Sequence, residues 1–214
     1  MLLGCIHLQA QDSVSYQNKK LSYSHPQLIA PVLLMGSSLI FSGGMKEELT
    51  DAVRWKSLAD LPEHTDAALA FSPLIAAYGL DLCGVRSRTD IINRTVILCK
   101  AEIMMVGGVY LLKSITKENR PDGSNFRSFP SSHTAQAFLA ATFLSTEYKD
   151  KYPWMPYASY TVATTVGAMR IANNKHYIND VLFGAGFGIL SQKLAYWTHQ
   201  YRWGKHAKKS VVKF

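Results

Sequence analysis

Between residues 170 and 180 a guanidinium, an imidazole and a carboxylate stand at fixed offsets: Arg170, His176 and Asp180. His176 and Asp180 are four apart, so on a helix they share a face and the carboxylate can accept a hydrogen bond from one ring nitrogen. The other nitrogen is then free to attack. An imidazole held this way beside a fixed cation suits displacement at phosphorus, where a covalent intermediate splits one difficult step into two easier ones. Surface and capping pairs use the same spacing, so the segment alone does not decide the matter.

Two upstream segments add weight. Lys113 is followed after six residues by Arg120 and Pro121, and then comes Pro130-Ser131-Ser132-His133-Thr134, leading into the apolar run 135–144. Phosphoryl transfer asks mainly for positioning and for neutralisation of the equatorial oxygens, so one Lys and two Arg in a water-poor pocket are the expected equipment where no metal is used. Arg grips phosphate through two donors and Lys acts as a point charge. A turn at 131–134 that opens a helix also offers free N–H groups and the positive end of a helix dipole, and Pro130 fixes the chain just before it. No cluster with metal-ligand spacing competes in the sequence, and no cofactor is expected.

In this order the three segments resemble the signature of the type 2 phosphatidic acid phosphatase and vanadium haloperoxidase superfamily, small bacterial envelope members included. That signature reads Lys-x6-Arg-Pro, then Pro-Ser-Gly-His, then Ser-Arg-x5-His-x3-Asp. The resemblance spans 113–180. It implies that Lys113, Arg120 and Arg170 hold the phosphate oxygens, with Ser131 donating to one of them and Ser132 lending its backbone N–H. It implies that His176 attacks phosphorus, that Asp180 orients His176, and that His133 protonates the departing oxygen. Two positions depart from the pattern. Ser132 stands where the family has Gly, and a serine would be strained there if the turn needed positive φ. Met169 stands where the family has Ser, removing one hydroxyl.

The elements that must carry these residues read as helices. Apolar runs at about 28–41, 67–82, 95–112, 134–144, 157–172 and 181–197 are too long for typical strands, and 45–58 adds an amphipathic helix. Pro26, Pro73, Pro121, Pro130, Pro153 and Pro156 punctuate them, with Gly43-Gly44 and Asp122-Gly123. The expected fold is all-α, a bundle of about six to seven helices with the site at one end and the 120–130 loop joining its halves. One helical domain over 21–200 is expected, with a signal-like segment at 1–20 and a basic tail at 201–214. The front segment, apolar to Ala10, reads as the back half of a secretory signal without its basic start. Export to a bacterial envelope, with the site facing the periplasm, is the expectation.

Most of the apolar runs are shorter than the roughly 20 residues of a membrane span or are interrupted, as Lys100 and Glu102 interrupt the third, and so read as buried bundle helices. Gly184, Gly186 and Gly188 permit close packing in water or lipid alike. Cys5, Cys83 and Cys99 read as buried thiols, with a Cys83–Cys99 disulfide left open. The aromatic residues Trp154, Tyr157, Tyr196, Trp197, Tyr201 and Trp203 read as core or interface packing rather than a membrane-interface belt. The net charge of +8 lacks an aromatic-interleaved basic stripe, which argues against nucleic acid as a partner.

The function these readings favour is a metal-independent phosphatase acting through a phosphohistidine. Its expected substrate is a phosphate monoester or pyrophosphate of a lipid: phosphatidate, phosphatidylglycerophosphate, an isoprenyl pyrophosphate or a lipid A phosphate. Possible membrane association accompanies it. A soluble periplasmic acid phosphatase acting on small phosphate esters is the nearest alternative, and a haloperoxidase a more distant one. A non-catalytic phosphate or lipid-headgroup binder is the alternative of another class, motivated by Ser132 and Met169.

Overall fold

Seven α-helices and no strand make up the described residues, which in the computed structural model are 21, 24–41, 43–54 and 64–200. They are α1 (Pro26–Ile40), α2 (Gly44–Ala52), α3 (Thr65–Leu82), α4 (Ile91–Thr116), α5 (Ser132–Tyr148), α6 (Met155–Ala172) and α7 (Ile178–Trp197). This is the expected all-α bundle. The signal-like segment, the basic tail and the last residues of the expected 45–58 helix lie outside the described residues.

Local chemistry sets several of the ends. α1 and α6 carry proline in their first turn, where the missing N–H has no intrahelical partner to lose. Asp90 caps α4, its carboxylate accepting from the Asn93 N–H at 3.2 Å, and Ser131 caps α5. α4 stops at Lys117, whose left-handed backbone (φ 46°) turns the chain into the loop before α5.

α5 is the axis of the bundle, with α3, α4, α6 and α7 all packed around it. Its small residues Ala135, Ala137, Ala140 and Ala141, all fully buried, let four neighbours approach at once. The closest approach is that of α7. A Cβ on Gly184 would lie 2.6 Å from the Ser131 carbonyl oxygen, and one on Gly188 would lie 2.2 Å from that of Ala135. Neither separation is sterically possible. These two glycines therefore draw α7 onto the first turns of α5, which carry Ser131, Ser132 and His133.

α4 departs from expectation. It buries one stripe, Ile97, Ala101, Met105 and Val109, spaced at four residues, against α5 and α7. Ile103, Val106, Tyr110, Leu111 and Ile115 on its other sides are exposed. It is the one helix among the described residues long and apolar enough to cross a membrane, and 22% of its apolar window is buried. The reading of this run as a buried helix is corrected, because α4 sits at the edge of the bundle. α1 also exposes Ile29, Val32 and Leu33. Cys83 and Cys99 are free and exposed, which overturns both the buried-thiol reading and the disulfide. Of the aromatic residues read as core or interface, Tyr196 is buried in the core, whereas Trp154 and Tyr157 are exposed; Tyr201 and Trp203 lie outside the described residues.

Candidate active site

The residues singled out along 113–180 gather at one end of the bundle, where α4 and α6 finish and α5 and α7 begin. The connecting loop is held in place by its own backbone. Lys113 Nζ donates to the carbonyl oxygens of Arg127 (2.6 Å) and Ser128 (3.2 Å), and Thr116 Oγ1 donates to that of Phe129 (3.2 Å). The Asp122 N–H donates to Asn174 O at 3.1 Å, and Lys175 pairs with the Asp122 carboxylate at 2.8 Å. That clasp joins the loop to the turn between α6 and α7, and Lys175 holds the Asp122 carboxyl well below the usual carboxylate range. The Ser131 N–H donates to Asp180 O at 3.1 Å, which ties the start of α5 to the start of α7.

His176 Nδ1 lies 3.3 Å from Asp180 Oδ2, both residues being buried. The contact is not the intrahelical pair that the four-residue spacing implies. α7 starts at Ile178, so His176 lies in the turn ahead of it, and Asp180 sits in the first turn and reaches backwards. The same Oδ2 accepts the Tyr177 N–H at 3.0 Å, as a helix cap does, and the Ser128 hydroxyl at 2.5 Å. One carboxylate oxygen thus fixes the helix start, the loop and the imidazole together. No group among the described residues hydrogen-bonds His176 Nε2. Burial lowers the His176 pKa to about 4, helped by the nearby charges of Lys113 and Arg170 and opposed by Asp180. The ring is neutral near pH 7, the state a nucleophile needs.

Arg170 Nη1 donates to Asp66 Oδ2, an ion pair between the last turn of α6 and the first turn of α3, with both residues buried. Asp66 also accepts the Ala67 N–H at 2.9 Å, and with Arg170 beside it its carboxyl is held below the usual range despite burial. Arg170 Nε is buried without a partner, as is Arg120 Nε. His133 stands among these groups. Burial lowers its pKa, as do Arg170, Arg120 and Lys113, against the pull of Asp66. The same two cations, Lys113 and Arg170, therefore depress both imidazoles.

Two cavities meet at Arg120 and His133. One, of about 450 Å³, runs between α3 and α4, walled by Ala70, Phe71, Met105, Val106 and Val109, with Lys113, Ser132 and Gln136 also lining it. The other, of about 650 Å³, is polar and is lined by His64, Asp66, Arg170, Asn173, Asn174 and Lys175. His176 lines neither and is 1% exposed. Ser131 does not line them either: it is fully buried, with its hydroxyl 2.9 Å from that of Thr134. In this structure its hydroxyl serves as the cap of α5. Ser132 is the first residue of α5 and is not among the non-glycine residues with positive φ, which are Lys117 and Asn174. The strain considered for it does not arise. Met169 is fully buried in the core, so the position departs from the family pattern without intruding on the cavities.

Sequence reading missed Asp66 and Ser128. Asp66 lies 104 residues from Arg170 with no spacing to announce the pair. Ser128 lies in the loop expected to join the halves of the site, and that placement was its only signal. No group of three or more His, Cys, Asp or Glu side chains is placed to hold a metal ion among the described residues.

A model of the PAP2 superfamily matches residues 94–204. Over 126 residues, 58% of this chain, the sequence is 39% identical to the lipid A 1-phosphatase of Porphyromonas gingivalis. It spans 28% of that relative's length. Among solved structures, LpxE of Aquifex aeolicus superposes with a TM-score of 0.54 at 22% identity, covering 73% of this chain and 97% of that one. A transmembrane PAP2-type phosphatidylglycerolphosphate phosphatase of Bacillus subtilis gives a TM-score of 0.46 at 22% identity, covering 78% and 94%.

Proposed function

The chain belongs to the PAP2 superfamily, and from that premise we propose that it is a metal-independent phosphatase that hydrolyses a phosphate monoester or diphosphate of a lipid. The phosphate sits where the two cavities meet. Arg120 and Arg170 turn their unpartnered N–H groups to its oxygens, Lys113 adds a point charge, and the Ser132 N–H at the start of α5 completes the cradle. His176 Nε2 attacks phosphorus and the P–O bond to the alcohol breaks. His133 gives its proton to the departing oxygen, and phosphohistidine remains. His133, now neutral, takes a proton from water as the hydroxide oxygen attacks phosphorus. The P–N bond breaks, and inorganic phosphate and the starting enzyme result. Asp180 holds Nδ1–H and stabilises the imidazole as charge moves onto it.

One observation carries this reading: Arg120 and His133 line both cavities at this end of the bundle, Lys113 lines one and Arg170 the other, and the Arg120 side chain has no partner among the described residues. The lipid assignment is supported by the apolar walls of the 450 Å³ cavity and by the relative called a lipid A 1-phosphatase. Membrane association in a bacterial envelope, with the site facing the periplasm, belongs to the same reading and is supported by the exposed apolar surface of α4.

Phosphate release measured over lipid and small soluble esters, with acid quenching of radiolabelled substrate, tests it. The expected result is preferential turnover of lipid phosphates and an acid-labile phosphoenzyme, absent in His176→Ala. Full activity in His176→Ala would remove the nucleophile. Preferential turnover of small esters would replace the lipid reading with a soluble acid phosphatase, and tight phosphate binding without turnover would leave a binder.

A further inference from the structure

One polar side chain in the apolar cavity takes no part in this chemistry. Gln136 is 7% exposed, lies on α5 and lines the wall together with Ala70, Met105, Val106 and Val109. Its Nε2 donates to Glu102 Oε1 of α4 at 2.7 Å. With the NH2 end on Glu102, Oε1 is turned from it; burial raises the pKa of the Glu102 carboxyl, and this orientation belongs to its ionised form, which can only accept. No group of the described residues donates to that oxygen. Oε1 is not among the fully buried side-chain atoms left without a partner, so it stays accessible on a residue that lines the cavity, where a donor on a ligand can replace water. Gln136 stands three residues after His133, so the two side chains are neighbours on one helix face, about 5–6 Å apart at Cβ. A donor on the leaving group, within a few bonds of the scissile oxygen, would reach Gln136 while His133 protonates that oxygen.

We infer that Gln136 is a specificity-determining acceptor for a hydroxyl or amide N–H on the alcohol portion of the substrate, with Glu102 as the positioning residue that holds its amide. The substrate class is an amphiphilic phosphate ester with a hydroxyl- or amide-bearing backbone close to the phosphate and an apolar chain beyond it. A bare polyprenyl phosphate offers no such donor. This rests on the phosphatase reading above.

The test compares 1-acyl-glycerol-3-phosphate, which carries a free hydroxyl at the neighbouring carbon, with the 2-deoxy analogue of the same chain length, in detergent micelles with the full chain. The wild type should favour the hydroxylated probe about tenfold in kcat/KM, as expected for one added hydrogen bond. Gln136→Met should bring the ratio to within about twofold. The double variant Glu102→Leu/Gln136→Leu should do the same while leaving no buried polar group behind, so that a folding defect in the single variant does not obscure the result. Glu102→Leu alone, which leaves the amide present but unheld, should lower the ratio about threefold, a change that a purely structural role would not produce. Equal kcat/KM for the two probes in the wild type overturns the inference, as does a tenfold ratio that survives Gln136→Met. Phosphate release from neither probe overturns the phosphatase reading and this inference with it.

Discussion

The two ends of the bundle both bury charge, and they treat it differently. At the far end, where α3 and α5 finish and α4 begins, Arg94 is fully buried against Asp81 and donates to the Tyr148 hydroxyl at 3.2 Å. Glu147 accepts from Tyr196 at 2.6 Å and from the Thr89 N–H at 2.8 Å. Arg94 leaves only Nε without a partner, as Arg170 does at the site end. The difference lies in Arg120, at the site end, whose side chain has no hydrogen-bond or ion-pair partner among the described residues. A partly buried guanidinium left wholly unpaired is costly, so a fold that keeps one reserves it for something absent from the chain. The first arrangement holds helices together. The second is built to be completed by an anion.

The strongest way to break the contrast is at the nucleophile. His176→Ala should reduce turnover by at least about ten-thousandfold, since removing a group that forms the covalent intermediate leaves only binding and charge stabilisation. Steady-state phosphate release measures it. No residue of the far-end network should have an effect of this size on kcat, whatever it does to stability.

A matched pair of substitutions sharpens the comparison. Asp66→Asn and Asp81→Asn each weaken a buried arginine pair, one at each end. Asp81→Asn should cost about 3–5 kcal/mol of stability, the usual consequence of leaving a buried charge unpaired, with kcat/KM of the folded protein within about twofold. Asp66→Asn should lower kcat/KM about a hundredfold through a misaimed Arg170. Denaturant unfolding and steady-state kinetics on both variants separate the effects. Equal kinetic losses would erase the distinction between the ends.

The pH profile reports on the same pocket. His176 must be neutral to attack, so activity should rise as pH climbs through about 4. His133 must be protonated to assist departure, so kcat/KM should fall as pH climbs through a value below its ordinary 6.5. The optimum therefore lies on the acid side. Each unit beyond either limb should cost about tenfold, since one protonation governs each. Bound phosphate dianion favours the protonated imidazole, so the alkaline limb of kcat should lie above that of kcat/KM. A profile flat up to pH 8 would separate His133 from the chemistry, and one with no fall at pH 3 would separate His176.

Much of this was legible in the sequence, and what was not has a physical pattern. The helices were legible because apolar runs of that length have few other ways to bury themselves, and the cation and histidine positions because their spacing is fixed by short local turns. Three things were hidden. Asp66 meets Arg170 only through the packing of α3 against α6. His176 was assigned to a helix because four-residue spacing has two readings, and only the backward reach of Asp180 over the helix start separates them. The exposed side of α4 was hidden because apolar content does not say which neighbours are present.

The smallest predicted effect bears on Ser132, where the family pattern has Gly. Had the turn needed positive φ, restoring glycine would relieve strain and raise activity substantially. Ser132 instead occupies the first position of α5 without positive φ, and serine presents the same backbone N–H as glycine would. Ser132→Gly should therefore leave kcat/KM within about twofold and lower stability slightly, by less than about 1 kcal/mol, the helix-propensity difference between the two residues. Kinetics with a thermal melt measure both. A tenfold gain in kcat/KM would mean that the serine side chain itself obstructs the phosphate. An attenuated phosphatase would then be the better description of the natural sequence, with the site end a pocket whose serine slows turnover.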